Sequence, residues 1–255
     1  MAGRTLTVDM ADDDLIPAWR TVIELAENGV SEEWTLVGGL MVAAHARRAG
    51  VVMRRPTDDV DVLVDYMANR SSLAQARTAL LQIGFELGND EKHAYRFRHE
   101  DGRKLDLMVA DHLPSRMEPR MNRRLAFAAP SGEQAIRRRD SNLLQFVSGA
   151  DARVGVPDEL GALVAKGAAW LVDRRDRRRH LDDSAVLLAR VLDASDLDYE
   201  SMSKNDRKRI RAVTDELLDS AHVSWVNVDP ADRERGMFNL RPIRQVLGFT
   251  DLGRN

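Results

Sequence analysis

"RRPTDDVDVLV" (54–64) crowds Asp58, Asp59 and Asp61 into four positions and then runs into Val62, Leu63 and Val64. The alternation predicts a strand over 59–66, in which residues two apart share a face. Asp59 and Asp61 then point one way and Asp58 the other. Two carboxylates held side by side repel and are costly to desolvate, so they need a cation, a shared proton or full hydration. An isolated Asp-x-Asp is usually a solvated strand end, so the meaning of the stretch turns on its neighbours.

Upstream, "WTLVGG" (34–39) reads as a short strand ending in Gly38 and Gly39, and "LMVAAHARRAG" (40–50) as a helix closed by Gly50. Glycines at a strand-to-helix turn admit close approach of a phosphate, and a helix start offers unpaired N–H groups. Residues 11–29 read as a first helix, stopped by Asn28-Gly29. Downstream, 71–85 reads as a second crossover helix capped by Ser71 or Ser72. "HAYRFRHEDGRKLDLMVA" (93–110) alternates, turns at Asp101-Gly102 and alternates again, which is a hairpin signal. It sets Asp106 among apolar strand residues, where a carboxylate is unusual unless paired or metal-bound. These elements predict a small mixed sheet over roughly residues 30–112.

The 255 residues, 44% hydrophobic and 31% charged, suit a soluble globular chain with a solvated surface. Cysteine is absent, which excludes disulfides and thiolate metal sites. The N-terminus lacks the pattern of a signal peptide, and no run of about eighteen apolar residues exists, so a cytoplasmic protein without a membrane partner is expected. Clustered carboxylates without thiolates or grouped histidines favour Mg²⁺ over Zn²⁺.

From Pro114 the texture changes. Residues 114–180 hold fourteen Arg or Lys against eight Asp or Glu. They read as helices with one extended piece at "ARVGVP". Amphipathic helices are expected at 157–175, 182–194 and 203–220, followed by an irregular tail. The expected class is α+β, with a small mixed-sheet core flanked by helices over 1–113 and a mainly helical, arginine-rich region over 114–255.

Strand, Gly-Gly, helix, Asp-x-Asp strand, helix and a hairpin carrying a third Asp form a pattern that resembles the nucleotidyltransferase superfamily with the polymerase-β-like minimal fold. The matching residues are Val37-Gly38-Gly39, Asp59-Val60-Asp61-Val62 and Asp106. "RPTDDVDV" is similar to the form found in the AbiEii-like branch, which includes abortive-infection toxins and mycobacterial nucleotidyltransferase toxins that modify tRNA. Lys166 and Asp183 match a later lysine and aspartate of that branch. Leu40 departs from other branches, which place a serine there.

The resemblance implies two Mg²⁺ ions held by Asp59, Asp61 and Asp106, and an NTP substrate bound by Gly38, Gly39, Arg55, Thr57 and Lys166. Asp183 would orient Lys166 or the nucleotide. It also implies transfer to an RNA acceptor, foremost the 3′ end of tRNA, by a toxin that can have a cognate antitoxin protein. Arg137, Arg138, Arg139, Arg174, Arg175, Arg177, Arg178 and Arg179 would meet RNA phosphates, with Arg116, Arg120, Arg123 and Arg124 adding to the same positive wall.

Each assignment has a plainer alternative. Asp106 can face water, Thr57 can turn the chain after Pro56, and Arg55 can be a surface residue. Lys166 can lie on a wet helix face, Asp183 can cap the helix after it, and the arginine runs can be solvated. His45 and His180 read as surface or helix-packing residues. Two other functions fit the chemistry less closely: nucleotide transfer to a small molecule such as an antibiotic, which favours an acidic acceptor pocket, and a catalytically idle binding module.

Overall fold

The structure, a computed structural model, describes residues 4–10, 16–29, 33–53, 57–89, 92–191 and 194–249. The fold is α+β, in two compact units. Met1–Ala44 with Pro56–Asp158 form the first, and His45–Arg55 with Glu159–Asn255 form the second.

In the first unit one mixed sheet runs in the order β1 (Thr5–Asp9), β10 (Arg139–Gln145), β11 (Asp151–Pro157), β2 (Trp34–Val37), β3 (Asp59–Val64), β6 (Lys104–Ala110), β5 (Arg96–His99) and β4 (Phe85–Leu87), with β9 (Ala128–Ala129) alongside the end of β6. The strands β7 (Arg120–Met121) and β8 (Arg124–Leu125) pair separately. β3 is central: it runs antiparallel to β2 and parallel to β6. Its alternation sends Val60, Val62 and Val64 to one face with Leu105, Leu107 and Val109 of β6, and all six are buried. The opposite face bears Asp59, Asp61, Lys104 and Asp106 at the same register.

Helix α1 (Pro17–Glu27) opens with proline at its start and buries Ala18, Thr21, Val22 and Leu25, the spacing of one helical face. Arg103, buried beside the hairpin turn, ties α1 down by donating to Thr21 Oγ1 at 3.1 Å and Glu24 Oε2 at 2.8 Å. Helix α2 (Gly38–Ala49) starts on the glycines themselves, and α3 (Ser72–Gln82) leads into β4. Ser71 occupies the cap position of α3, but its side chain makes no capping bond. The short helix α4 (Gly132–Arg137) lies over the carboxylate-bearing face, where a methyl on Gly132 would sit 2.9 Å from Ala110 Cα and 3.4 Å from Leu63 Cδ2.

The second unit is built on α5 (Glu159–Val172), buried over most of its circumference, with α6 (Arg178–Arg190), α7 (Lys204–Glu216), α8 (Val223–Val226) and α9 (Pro230–Val246). Helix α7 begins with a reciprocal cap: Ser203 Oγ accepts from Asp206 N at 3.2 Å, while Asp206 Oδ2 accepts from Ser203 N at 3.0 Å.

Several expectations are corrected. Residues 114–158 belong with the sheet, not with a helical C-terminal region. Arg138 and Arg139 lead into or begin β10, which forms a hairpin with β11. The strand at "ARVGVP" is present, but "RDSNLLQ" is its strand partner. The expected irregular tail instead carries α8 and α9 among its described residues, with Asp229 at the cap position of α9 and Pro230 in its first turn. Helix α6 starts at Arg178, so Asp182 and Asp183 lie inside it rather than at its cap.

Gly167 marks how closely the helices of the second unit approach: a methyl there would lie 2.1 Å from the backbone oxygen of Arg209 on α7. Gly167→Ala is expected to destabilise this unit by about 1–3 kcal/mol through overpacking. Urea unfolding followed by tryptophan fluorescence measures it, and an unchanged midpoint would contradict this packing.

Candidate nucleotide and metal site

The β3–β6 ladder brings the carboxylates together. Asp61 stands directly across from Asp106, and Asp59 from Lys104. Parallel partners share a face, so all three aspartates occupy neighbouring positions on one surface. The antiparallel β5–β6 pairing adds Arg96 across from Asp106 and Arg98 across from Lys104. Two carboxylates are therefore matched with a cation across the ladder.

Arg96 donates from Nε to Asp106 Oδ1 at 2.8 Å and from Nη2 to Oδ2 at 2.7 Å. This two-pronged geometry is the strongest form of the guanidinium–carboxylate bond. The accepting carboxylate raises the Arg96 pKa further above its already high value. Lys104 Nζ lies 3.6 Å from Asp59 Oδ1, and both side chains are well exposed.

The glycines close the other side. Val37 pairs with Asp61 across β2–β3, and Gly38 follows with φ of 64°. A methyl on Gly38 would lie 1.8 Å from Asp61 Oδ2, and one on Gly39 would lie 2.3 Å from Thr57 Oγ1. Only glycine lets the start of α2 touch these two side chains, and Gly38 also needs the left-handed conformation. Among the described residues Thr57 Oγ1 is buried without a hydrogen-bond partner, a cost of about 1–3 kcal/mol. Further along the same face, beneath α4, Val37, Leu63, Met108, Ala129 and Ala135 form a buried cluster against which Tyr95, Phe127 and Ile136 pack.

The donor set, carboxylate oxygens only, matches the ligand preference of Mg²⁺. At Gly38 the Asp61 carboxylate takes the place that a side chain would occupy, so the start of α2 lies directly against one of these oxygens. Among the described residues, however, no group of three or more His, Cys, Asp or Glu stands ready to hold a metal ion. Asp106 is turned to Arg96 and Asp59 to Lys104, so the oxygens are not converged. The residues fit a divalent ion in kind and in placement on the face, with Asp106 committed elsewhere.

Lys166 and Asp183 meet within the second unit, Nζ to Oδ2 at 2.7 Å, with both side chains almost fully buried. Lys166 is thus on no wet helix face. Arg55 falls outside the described residues. Of the arginines, Arg138 is buried and gripped by Asp158 at 2.9 Å, and Arg139 donates to the Glu33 carbonyl oxygen at 3.0 Å. Arg138 is thereby corrected from a phosphate ligand to a structural tie, while Arg139 stays half-exposed. Arg137, Arg174, Arg175, Arg177, Arg178 and Arg179 are exposed. Arg177 lies over the Trp170 ring at 3.5 Å, and Arg179 pairs with Asp173 at 3.2 Å.

Arg96 and Lys104 were missed in the sequence. The signal was present: once Asp101-Gly102 is taken as the turn, pairing across it sets Arg96 beside Asp106. Comparisons with protein-family models, curated proteins and solved structures give no match for this chain. Among the described residues no helix is long and apolar enough to cross a membrane.

His45 and His180 are both buried. His180 Nε2 lies 3.0 Å from Asp173 Oδ2. Burial, with smaller repulsion from Lys166 and Arg179, lowers the His180 pKa below its ordinary 6.5, against the opposing pull of Asp173. Asp173 itself is held at about 2, first by the Arg175 backbone N–H and then by His180 and Arg179. A histidine with a depressed folded pKa stabilises the fold above its unfolded pKa. That contribution falls as pH drops below 6.5 and is lost on passing the folded value. Asp173 adds a second loss between its ordinary 3.8 and about 2. Thermal stability of wild type is expected to fall from pH 7 downward, and His180→Gln to flatten the first part of that slope. Equal slopes in the two proteins would refute the assignment.

Proposed function

We propose that the chain is a Mg²⁺-dependent nucleotidyltransferase that moves a nucleotide from an NTP to an RNA acceptor. The observation that carries the reading is the register-fixed placement of Asp59, Asp61 and Asp106 on one face, with the Gly38-Gly39 turn seated against Asp61. Asp59 and Asp61, with Asp106, would hold the metal. When bound, Mg²⁺ neutralises the phosphate chain and makes an acceptor hydroxyl easier to deprotonate.

The protein's own part is positional. Gly38 and Gly39 admit the phosphates to the start of α2, whose first-turn N–H groups lack partners within the helix. Lys104 and Arg96 supply positive charge beside the carboxylates. Support for an RNA acceptor comes from the exposed arginines of 174–179, where Arg174 and Arg175 have no carboxylate partner among the described residues. Transfer to the 3′ end of tRNA, action as a cytoplasmic toxin and a cognate antitoxin rest on the family resemblance.

One observation favours a second reading. If Asp106 never leaves Arg96, the chain is an idle binding module with a closed site. Incubation with Mg²⁺, tRNA and each α-labelled NTP separates the two. Wild type is expected to label tRNA, and Asp61→Asn to label it on the order of 10³-fold more slowly, the loss of several kcal/mol of transition-state stabilisation. Labelling by Asp61→Asn at the wild-type rate would exclude the carboxylate mechanism.

A further inference from the structure

Asp106 spends both oxygens on one guanidinium, on the face where a divalent ion would need them. The β5–β6 ladder already joins those strands through backbone pairing over Arg96–Arg98 and Lys104–Asp106, so the hairpin does not depend on this side-chain bond. The Arg96 side chain is 28% exposed and that of Asp106 is 10% exposed, which places the guanidinium at the accessible edge of the carboxylate patch. The ion pair closest to this arrangement, Lys104 with Asp59, repeats it on the neighbouring β3–β6 ladder. In both cases the cation sits directly across from the carboxylate it neutralises.

We propose that Arg96 is a phosphate-binding residue held in reserve by Asp106: its pairing with Asp106 and occupancy of Asp106 by a divalent ion exclude one another, and the released guanidinium binds the phosphate chain. This rests on the nucleotidyltransferase reading of the same face. The chemistry is an exchange of partners. Asp106 trades a guanidinium for a metal ion, Arg96 trades a carboxylate for phosphate oxygens of the same forked geometry, and neither charge is left unpaired. The Arg96–Asp106 pair is bidentate and partly buried, so its loss is offset only when both new partners are in place, the metal ion on Asp106 and phosphate oxygens on Arg96.

The test uses the full chain with Mn²⁺ alone and with inorganic tripolyphosphate, followed by calorimetry. Arg96→Gln is expected to bind Mn²⁺ about tenfold tighter than wild type without polyphosphate, because the competing partner is gone. At saturating Mn²⁺ the same variant is expected to bind tripolyphosphate about tenfold weaker. Arg96→Lys keeps the charge but not the fork. Both shifts are expected in it with smaller factors, and it carries the test if circular dichroism shows that Arg96→Gln does not fold. Mn²⁺ affinity unchanged or weakened in the Arg96 variants, or tripolyphosphate affinity equal to wild type, overturns the proposal. If Mn²⁺ binding depends on Asp59, by Asp59→Asn, but not on Arg96, the role of Arg96 alone fails. If Mn²⁺ binds wild type no better than Asp59→Asn, the reading of the face fails and the role of Arg96 with it.

Discussion

The parallel register between β3 and β6 sets Asp61 opposite Asp106, and the rest of the site follows from that pairing. Two unit charges about 5 Å apart repel by about 3 kcal/mol at an effective dielectric of about 20. A sheet tolerates this only with compensation. The neighbouring strands supply it, through Arg96 from β5 and Lys104 from β6 itself. The apolar side of the same strands makes the register costly to change. A slip by one residue would carry Val60, Val62 and Val64 to the polar face and the aspartates into the core. The hydrophobic pattern on one face thus enforces an unfavourable charge pattern on the other.

The glycines are the second consequence of that geometry. β2 ends beside Asp61, so the chain must leave the sheet against a carboxylate. At Gly38 the left-handed backbone and the absent Cβ are both required, and at Gly39 the neighbour is the buried hydroxyl of Thr57. The second unit handles buried charge differently. Lys166 and Asp183 neutralise each other from α5 and α6, where separating such a pair costs about 3–5 kcal/mol.

The site was more legible in the sequence than the fold around it. Asp59 and Asp61 showed through strict alternation, Asp106 through a hairpin turn with a clear glycine, and the Gly-Gly turn through its place between strand and helix. β10 was hidden because Arg139, Asp140, Ser141 and Asn142 are polar, and the buried members are paid for by partners distant in sequence, as Asp140 is by Arg4 at 2.7 Å. β1 alternates legibly over Thr5–Asp9, but an edge strand that pairs with residues 141–145 has no local cue to its partner. Helix α9 carried a start signal at Asp229-Pro230, obscured by its polar composition and by Pro242 inside it. The pairing of Lys166 with Asp183 was suggested by the family resemblance, but the burial of both was not legible, because the partners lie seventeen positions apart on different helices. Arg96 had to wait for the hairpin register.

The proposed chemistry depends on divalent-ion binding at Asp59 and Asp61. Anomalous diffraction from crystals grown with Mn²⁺ and an NTP tests this most directly. Such binding predicts an anomalous peak in contact with the Asp59 and Asp61 carboxylates, absent from Asp61→Asn crystals. Anomalous signal elsewhere on the chain, with none at these two residues, would contradict it.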